Sequence, residues 1–142
     1  MKTNVYGALM ILVLALLVSV PMTQAQVRSN AQVGFDFSLD QKEMPAGAYE
    51  ISSLSNSVLA VRNLDTREAR LVIEPMHVQA SQAAGIPHAK LVFRKYGDQY
   101  FLAQVWNGQS NIGIAFPECK REKELQSASN SHQPELVVLA MK

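Results

Sequence analysis

Hydrophobic and polar residues alternate along residues 33–39, where Val33, Phe35, Phe37 and Leu39 are apolar and the residues between them are small or polar. Because successive side chains of a strand point to opposite faces, this alternation predicts a strand with one buried face. Further runs rich in β-branched and aromatic residues lie at residues 49–51, 58–63, 69–74, 76–78, 112–116 and 136–141. With turn residues between these runs, the pattern predicts a mainly β fold, an antiparallel sandwich or a small barrel of seven to eight strands.

The clearest hairpin signal lies at residues 90–106, K-L-V-F-R-K-Y-G-D-Q-Y-F-L-A-Q-V-W. A Gly-first pair such as Gly97-Asp98 suits a two-residue turn, and we expect Gly97 to adopt a positive φ there. Gly108 lies in a longer loop, where we expect more room to adjust. Counting outward from the turn predicts the cross-strand pairs Tyr96 with Gln99, Arg94 with Phe101, Phe93 with Leu102, and Val92 with Ala103.

Both faces of this hairpin carry apolar side chains, which a hairpin with one solvated face does not need. The face expected in the core holds Leu91, Phe93, Tyr100, Leu102 and Trp106. The second face holds the candidate binding residues Val92, Arg94, Phe101 and Val105. Three interpretations of the second face are open: cover by another segment, such as residues 112–116 or the last strand; contact with a small apolar ligand inside a barrel; or exposure to a protein partner.

Residues 118–127 contain helix-forming residues and one strongly apolar residue, Leu125, so they predict a short polar surface helix. The run K-R-E-K-E at residues 120–124 alternates in charge sign, which is typical of a solvated face. Cys119 is the only cysteine and permits no internal disulfide. We interpret it as a small, half-buried residue at the helix start. The alternatives are a disulfide between chains and a nucleophile.

The amino-terminal residues have the features of a secretory signal. Lys2 precedes an uncharged apolar run at residues 5–20, and small residues spaced for cleavage follow it. Residues 1–25 are therefore predicted to be removed by cleavage between Ala25 and Gln26. An uncleaved anchor is the alternative, but the run is short for a bilayer core, so no membrane anchor is expected after cleavage.

After cleavage, residues 26–31 are predicted to be a flexible tail, and residues 32–142 to be a single β-rich domain. The predicted location is the periplasm or the cell exterior. The chain has 13 lysines and arginines against 12 aspartates and glutamates, and loss of Lys2 makes the numbers equal. Nucleic-acid-binding proteins normally carry a basic excess or stripe, so no nucleic-acid partner is predicted.

No sequence motif for catalysis or metal binding is present. His77, His88 and His132 fit no metal-ligand spacing, and the chain contains no phosphate loop, dinucleotide fingerprint or nucleophile elbow. Asp36 lies on the polar side of the first predicted strand, and acid–base catalysis there needs a second carboxylate nearby. The sequence therefore predicts no catalytic residue, no metal ligand and no cofactor.

Three motifs resemble those of a family of small exported bacterial proteins of unassigned function. The motifs are F-D-F in the first predicted strand, M-P-A-G-A-Y-E-I after it, and the hairpin at residues 90–106. The resemblance extends over residues 33–124, and Met44 stands where Leu is usual in L-P-A-G-x-Y. The resemblance implies export and a small β-rich domain, and it implies no catalytic residues.

Three functional hypotheses follow. The first is a non-enzymatic binding or structural module in the periplasm or outside the cell. The second is a small β-barrel that binds an apolar ligand, and the third is an enzyme whose site is not visible in the sequence. The partner expected under the first two is a protein or a small apolar ligand.

Overall fold

The computed structural model describes residues 27–73, 75–81, 83, 85–128 and 133–142. Those residues form two packed sheets that do not close into a barrel, with one α-helix near the C-terminus. The predicted mainly β fold is thus confirmed, and the sandwich is the correct one of its two alternatives. In chain order the elements are β1 (Arg28–Val33), β2 (Phe37–Leu39), β3 (Lys42–Met44), β4 (Gly47–Ser55), β5 (Val58–Asn63), β6 (Ala69–Ile73), β7 (Met76–Gln79), β8 (Lys90–Tyr96), β9 (Gln99–Trp106), β10 (Ile112–Ala115), α1 (Lys120–Ala128) and β11 (Glu135–Ala140).

The first sheet is antiparallel and has the strand order β1-β4-β5-β6, and the second has the order β11-β8-β9-β10-β7. The short β2–β3 hairpin joins the second sheet through a parallel pairing of β2 with β9, in which Phe37 lies opposite Tyr100. Strands β6 and β7 are edge strands of different sheets, and the chain passes from one to the other beside Pro75. At the opposite edges, the backbone groups of Asn30 in β1 make two hydrogen bonds with Lys142, of 2.8 and 2.9 Å.

The core lies between the two sheets and is formed by alternate residues of their strands. Tyr49 and Phe93 are its largest fully buried side chains, one from each sheet. Phe37 links them, with its ring centroid 5.2 Å from that of Tyr49 and 5.3 Å from that of Phe93. Full burial of a large apolar side chain stabilises a fold by about 1.5–3 kcal/mol, so these rings are a main source of sandwich stability.

Several predictions for the amino-terminal part need correction. The cleavage residues Ala25 and Gln26 lie outside the described residues, but the stretch predicted as a flexible tail contains strand β1. Its inward side chains are small, with Ser29 and Ala31 buried in alternation, so the stretch lacks the large apolar residues that normally indicate a strand. The single strand predicted for residues 33–39 is divided into the end of β1 and β2. The described residues hold eleven strands rather than seven or eight.

The β8–β9 hairpin has the predicted turn, and its register is correct near the turn. Gly97 has a φ of 59°, and Tyr96, Arg94 and Phe93 have the partners that the sequence predicts. The pair of Val92 with Ala103 is wrong, because Val92 lies opposite Gln104. Ala103 is therefore the extra residue of a β-bulge in β9.

The bulge exchanges the faces of the residues that follow it. Val105 lies opposite Leu91 and belongs to the core, so its predicted place on the second face is wrong. Trp106 lies outside the core cluster, and its indole N–H donates a hydrogen bond of 3.0 Å to the side chain of Gln104. Its ring lies so close to Gly113 that a Cβ added there would be 2.7 Å from it. One inserted residue reverses the facing of every later residue in a strand, and that is the cause of both changes.

The expectation that the loop around Gly108 leaves room for a side chain is wrong. It has a φ of 75°, and a Cβ added to it would lie 2.8 Å from the backbone nitrogen of Ala89. Gly97 also has a positive φ, but an added Cβ there would meet nothing within 4 Å. Gly108 is thus the more restricted of the two glycines. Among the described residues, no helix has the length and hydropathy needed to cross a bilayer.

Candidate functional site

The motifs of the family resemblance meet at one corner of the core and build structure there. A carboxylate oxygen of Asp36, from F-D-F, accepts a hydrogen bond of 2.7 Å from the amide that follows Pro45. The hydroxyl of Tyr49 donates to the carbonyl of Pro45, which ties the end of M-P-A-G-A-Y back to its turn. Phe35 stacks on Tyr100 of the hairpin with ring centroids 3.8 Å apart. The motif residues therefore hold turns and strands together, and the carboxylate of Asp36 is engaged by the backbone.

The second face of the hairpin is covered at Arg94 by helix α1. The guanidinium of Arg94 donates hydrogen bonds of 2.6 and 3.2 Å to the two carboxylate oxygens of Glu122, and a third of 3.1 Å to the carbonyl of Phe116. The Glu122 side chain is only 2% exposed and that of Arg94 is 15% exposed. Burial alone would lower the pKa of Arg94, but the hydrogen bonds and charge of Glu122 outweigh it and raise that pKa.

Helix α1 lies where the sequence predicts a polar helix, but it is not solvated all round. Glu122 is a buried residue within the K-R-E-K-E run that was interpreted as a solvated face, so that interpretation is wrong at this position. The same carboxylate accepts a hydrogen bond of 2.9 Å from the N–H of Cys119, which precedes the first helical residue. Glu122 thus caps the helix and attaches it to the sheet. Cys119 is half-buried at the helix start, as expected, and its thiol is free.

Tyr96 extends this polar cluster to the end of β8. Its side chain is 8% exposed, and its ring meets that of Phe101 edge-on with centroids 5.8 Å apart. The hydroxyl is buried and makes no hydrogen bond among the described residues. Burial raises the pKa of Tyr96, and the negative charges of Glu118 and Glu122 raise it further.

The four candidate binding residues are now separated by the fold. Val92, Arg94 and Phe101 share the second face, where Val92 is 7% and Phe101 is 3% exposed. Such burial leaves no open apolar patch at these two side chains for a protein partner. Val105 is on the opposite face, between the two sheets, where it lines a cavity.

This inter-sheet cavity opens to solvent at one end of the sandwich and has a volume of about 500 Å³. Its deepest wall is mostly apolar and buried, whereas its outer wall is mainly polar and exposed but also includes Ile112, which is 47% exposed. The buried floor consists of Ile51, Leu59, Val105 and Met141, with Ser29 beside them. The exposed rim includes Ser53, Asn56, His77 and Asn107. An apolar interior with a few polar groups at the mouth is the usual build of a small-molecule site.

A second cavity, of about 300 Å³, lies at the turn between β2 and β3 and the start of α1. It brings together Cys119 and three carboxylates. Two of these are engaged in ion pairs, Asp40 with Arg70 at 2.7 Å and Glu122 with Arg94 at 2.6 Å. Two of the three carboxylates that line the second cavity are thus paired with arginines.

No three histidine, cysteine, aspartate or glutamate residues within the described ranges are grouped so that they could hold a metal ion. His77 lies at the rim of the inter-sheet cavity, and the other lining residues with polar side chains are serines and asparagines. Serine and asparagine are weak ligands for transition metals, so the chemistry of this cavity is hydrogen bonding and apolar contact.

Sequence reasoning missed Glu122 and His77 as residues of interest. Glu122 carried one signal, since a carboxylate three residues after the helix cap is the spacing of a capping box. His77 carried none, because its place at the cavity depends on the pairing of β7 with β10, in which it lies opposite Ile114.

No protein-family model matches the chain, and no curated protein or solved structure matches it. The family resemblance of the three motifs therefore stays a prediction, and the function is argued from the cavities and clusters of the chain itself.

Proposed function

We propose that the protein is an exported, non-catalytic binding module that holds a small ligand with an apolar body in the inter-sheet cavity. The proposal is carried by the buried apolar floor of that cavity, which opens to solvent between the two sheets. Its volume of about 500 Å³ lies within the range of roughly 300–1,000 Å³ that ligand sites occupy.

The cavity is better suited to binding than to catalysis. His77 is the only residue with a titratable side chain among those that line it in the described part of the chain. A serine hydroxyl is a weak nucleophile and needs an adjacent base to activate it. The serines of the lining have no carboxylate or second imidazole beside them to activate a hydroxyl.

The binding site is tested with an uncharged dye whose fluorescence rises in apolar surroundings. Val105→Phe fills the floor of the cavity and is expected to weaken dye binding by at least about tenfold. Asn56→Trp narrows the exposed mouth without changing the core, and it serves as the second variant if Val105→Phe folds poorly. The matched control is Val138→Phe, on the outer face of β11 where Val138 is 56% exposed.

Both cavity variants are expected to bind the dye more weakly than the unchanged protein, and the control is expected to bind it with unchanged affinity. Folding of each variant is checked by its denaturation midpoint. Dye binding that survives Val105→Phe and Asn56→Trp, or that Val138→Phe weakens equally, contradicts the proposed site.

Export is part of the proposal and is supported by the uncharged run at residues 5–20 and the small residues before Gln26. Mass spectrometry of the protein recovered outside the cytoplasm is expected to give a chain that starts at Gln26. An intact amino terminus in the membrane fraction contradicts cleavage and favours the anchor.

A further inference from the structure

We infer that the ligand of the inter-sheet cavity is an uncharged amphiphile, with an apolar body on the floor and a hydroxyl, carbonyl or amide group at the rim. This inference rests on the proposed function and names the chemical class that the site selects. It is carried by a lining without carboxylate, ammonium or guanidinium groups among the described residues, and by a floor that is more apolar than the rim.

No aspartate, glutamate, lysine or arginine of the described residues lines the inter-sheet cavity. An ionised head group at the rim would lose part of its water and find no carboxylate, ammonium or guanidinium side chain to pair with. The imidazole of His77 is the one lining group of the described residues that can carry a charge. Even partial burial of a charge without a partner is far more costly than the same burial of a neutral group. Because it has no oppositely charged carboxylate, ammonium or guanidinium side chain, the lining discriminates against ligands with a carboxylate or ammonium group.

The second cavity of the same protein is a useful contrast. Its lining includes Asp40, Glu118 and Glu122, so charged side chains do face cavities in this fold. The described residues also include many other charged side chains, and none of these lines the inter-sheet cavity. The neutral lining is thus a property of this site rather than of the whole molecule.

The rim offers hydrogen bonds of both kinds at fixed positions. Asn56 and Asn107 each carry an amide group with both donors and an acceptor. The hydroxyl of Ser53 donates a hydrogen bond of 2.9 Å to the carbonyl of Ser55, and its oxygen can still accept one. The side-chain oxygen of Asn107 accepts a hydrogen bond of 2.9 Å from the N–H of Gln109, which leaves its amide N–H groups to face a ligand oxygen. These groups match a hydroxyl, carbonyl or amide on the ligand.

The cavity sets a limit on ligand size. If each non-hydrogen atom takes about the 30 Å³ share of a water molecule, about 500 Å³ holds roughly 15 such atoms. Linear alcohols from hexanol to decanol fall below that limit and are suitable probes. Each added methylene is expected to raise affinity about fourfold, which corresponds to about 0.8 kcal/mol of apolar burial.

The experiment measures displacement of the uncharged dye by three probes with the same ten-carbon chain, below their micelle-forming concentrations. The probes are decanol, decanoate and decyltrimethylammonium. Decanol is expected to bind at least about tenfold more tightly than either ion, because only the ions lose solvation without a partner. The series is repeated on a chain with an acetylated amino terminus, because Val27 lines the cavity and a nearby terminal ammonium would favour decanoate.

A charge placed on the rim supplies the matched test. Asn107→Asp keeps the oxygen that Gln109 contacts, and it is expected to raise the affinity of the ammonium probe relative to decanol by at least about fivefold. The control is Gln32→Glu, the same charge change at an exposed residue of β1 that does not line the cavity.

The possible results separate the two proposals. Alcohol affinity that does not rise with chain length contradicts the proposed function. Affinity that rises with chain length, but with either ion bound within about tenfold of decanol, overturns the uncharged ligand and leaves the binding site standing. An equal response of Gln32→Glu and Asn107→Asp also overturns it, because the rim would then not be where the head group lies.

Discussion

The attachment of helix α1 by one buried ion pair leads to a sharp prediction about stability. Replacing Glu122 by Leu removes a carboxylate that is 2% exposed and leaves the guanidinium of Arg94, 15% exposed, without its partner. Arg94 keeps a single hydrogen bond, to the carbonyl of Phe116. The N–H of Cys119 loses its acceptor at the same time. The variant thus breaks the ion pair and the helix cap together.

The size of the loss follows from these contacts. Removing one partner of a buried ion pair costs about 3–5 kcal/mol, and the remaining exposure and hydrogen bond of Arg94 favour the lower end of that range. Loss of a helix cap adds about 1 kcal/mol. We therefore expect Glu122→Leu to lower the free energy of unfolding by about 4 kcal/mol, a large part of the 5–15 kcal/mol that a small domain has.

The assay is urea unfolding, supported by the rate at which the Cys119 thiol is labelled. With a slope of about 2 kcal/mol per molar urea, the midpoint is expected to fall by about 2 M. If α1 leaves the sheet before the core unfolds, the midpoint falls less and the half-buried thiol is labelled faster instead. A double variant with Arg94→Met is expected to recover most of the loss, because no unpaired charge is then buried.

The matched control is Glu124→Leu on the same helix. Glu124 is 54% exposed and forms only a long ion pair of 3.8 Å with Arg121, so its loss is expected to cost less than about 1 kcal/mol. The same midpoint and the same labelling rate for both glutamate variants would refute the role of Glu122.

Three further predictions concern the hairpin and its loops. Phe101→Ala is expected to lower the free energy of unfolding by about 3–5 kcal/mol. Leu136→Ala, at a side chain 63% exposed, is expected to lower it by less than about 1 kcal/mol. Equal urea midpoints for these two variants would show that the second face is not covered. Gly108→Ala is expected to be less stable than Gly97→Ala in the same assay, since both have positive φ but only Gly108 has no space for a Cβ; the opposite order contradicts this. Tyr96→Phe is expected to keep or raise stability, because it removes a buried hydroxyl without a partner. The folded state raises the pKa of Tyr96, so the wild type is expected to lose stability as pH rises above about 10, the ordinary tyrosine value. Tyr96→Phe is expected to lose less stability between pH 8 and 11, and an equal dependence of the unfolding free energy on pH in both proteins would contradict this.

Much of the fold could be predicted because its signals are local. Residues 58–63 are bounded by turn residues on both sides and form strand β5 with the predicted limits. The Gly97-Asp98 turn and three of the four predicted cross-strand pairs follow from the backbone freedom of a glycine and from simple counting. Two expectations failed: the flexible tail where β1 lies, and the alternation of faces beyond Ala103. At both places the residue types do not show what the backbone does.

The bulge shows why the candidate binding face could be only partly predicted. Nothing in an alanine distinguishes an extra residue from an ordinary one, yet Ala103 decides that Val105 faces the cavity and that Trp106 does not. Glu122 shows a second limit. Its burial depends on Arg94 in a distant strand, and no window of sequence around the helix contains that partner.

The pairing of Asn30 with Lys142 has a consequence for how the protein folds. Strand β1 meets the last residues of the chain, and the parallel contact of Phe37 with Tyr100 also joins segments far apart in sequence. Such pairings require the closure of long loops, which costs entropy before any contact stabilises the chain. They therefore slow folding to roughly the millisecond-to-second range of β-sandwiches. Until β11 arrives, the edges of β1 and β8 remain open to other chains. Late closure of this kind keeps the chain extended for longer, which suits a polypeptide that we propose crosses a membrane before it folds.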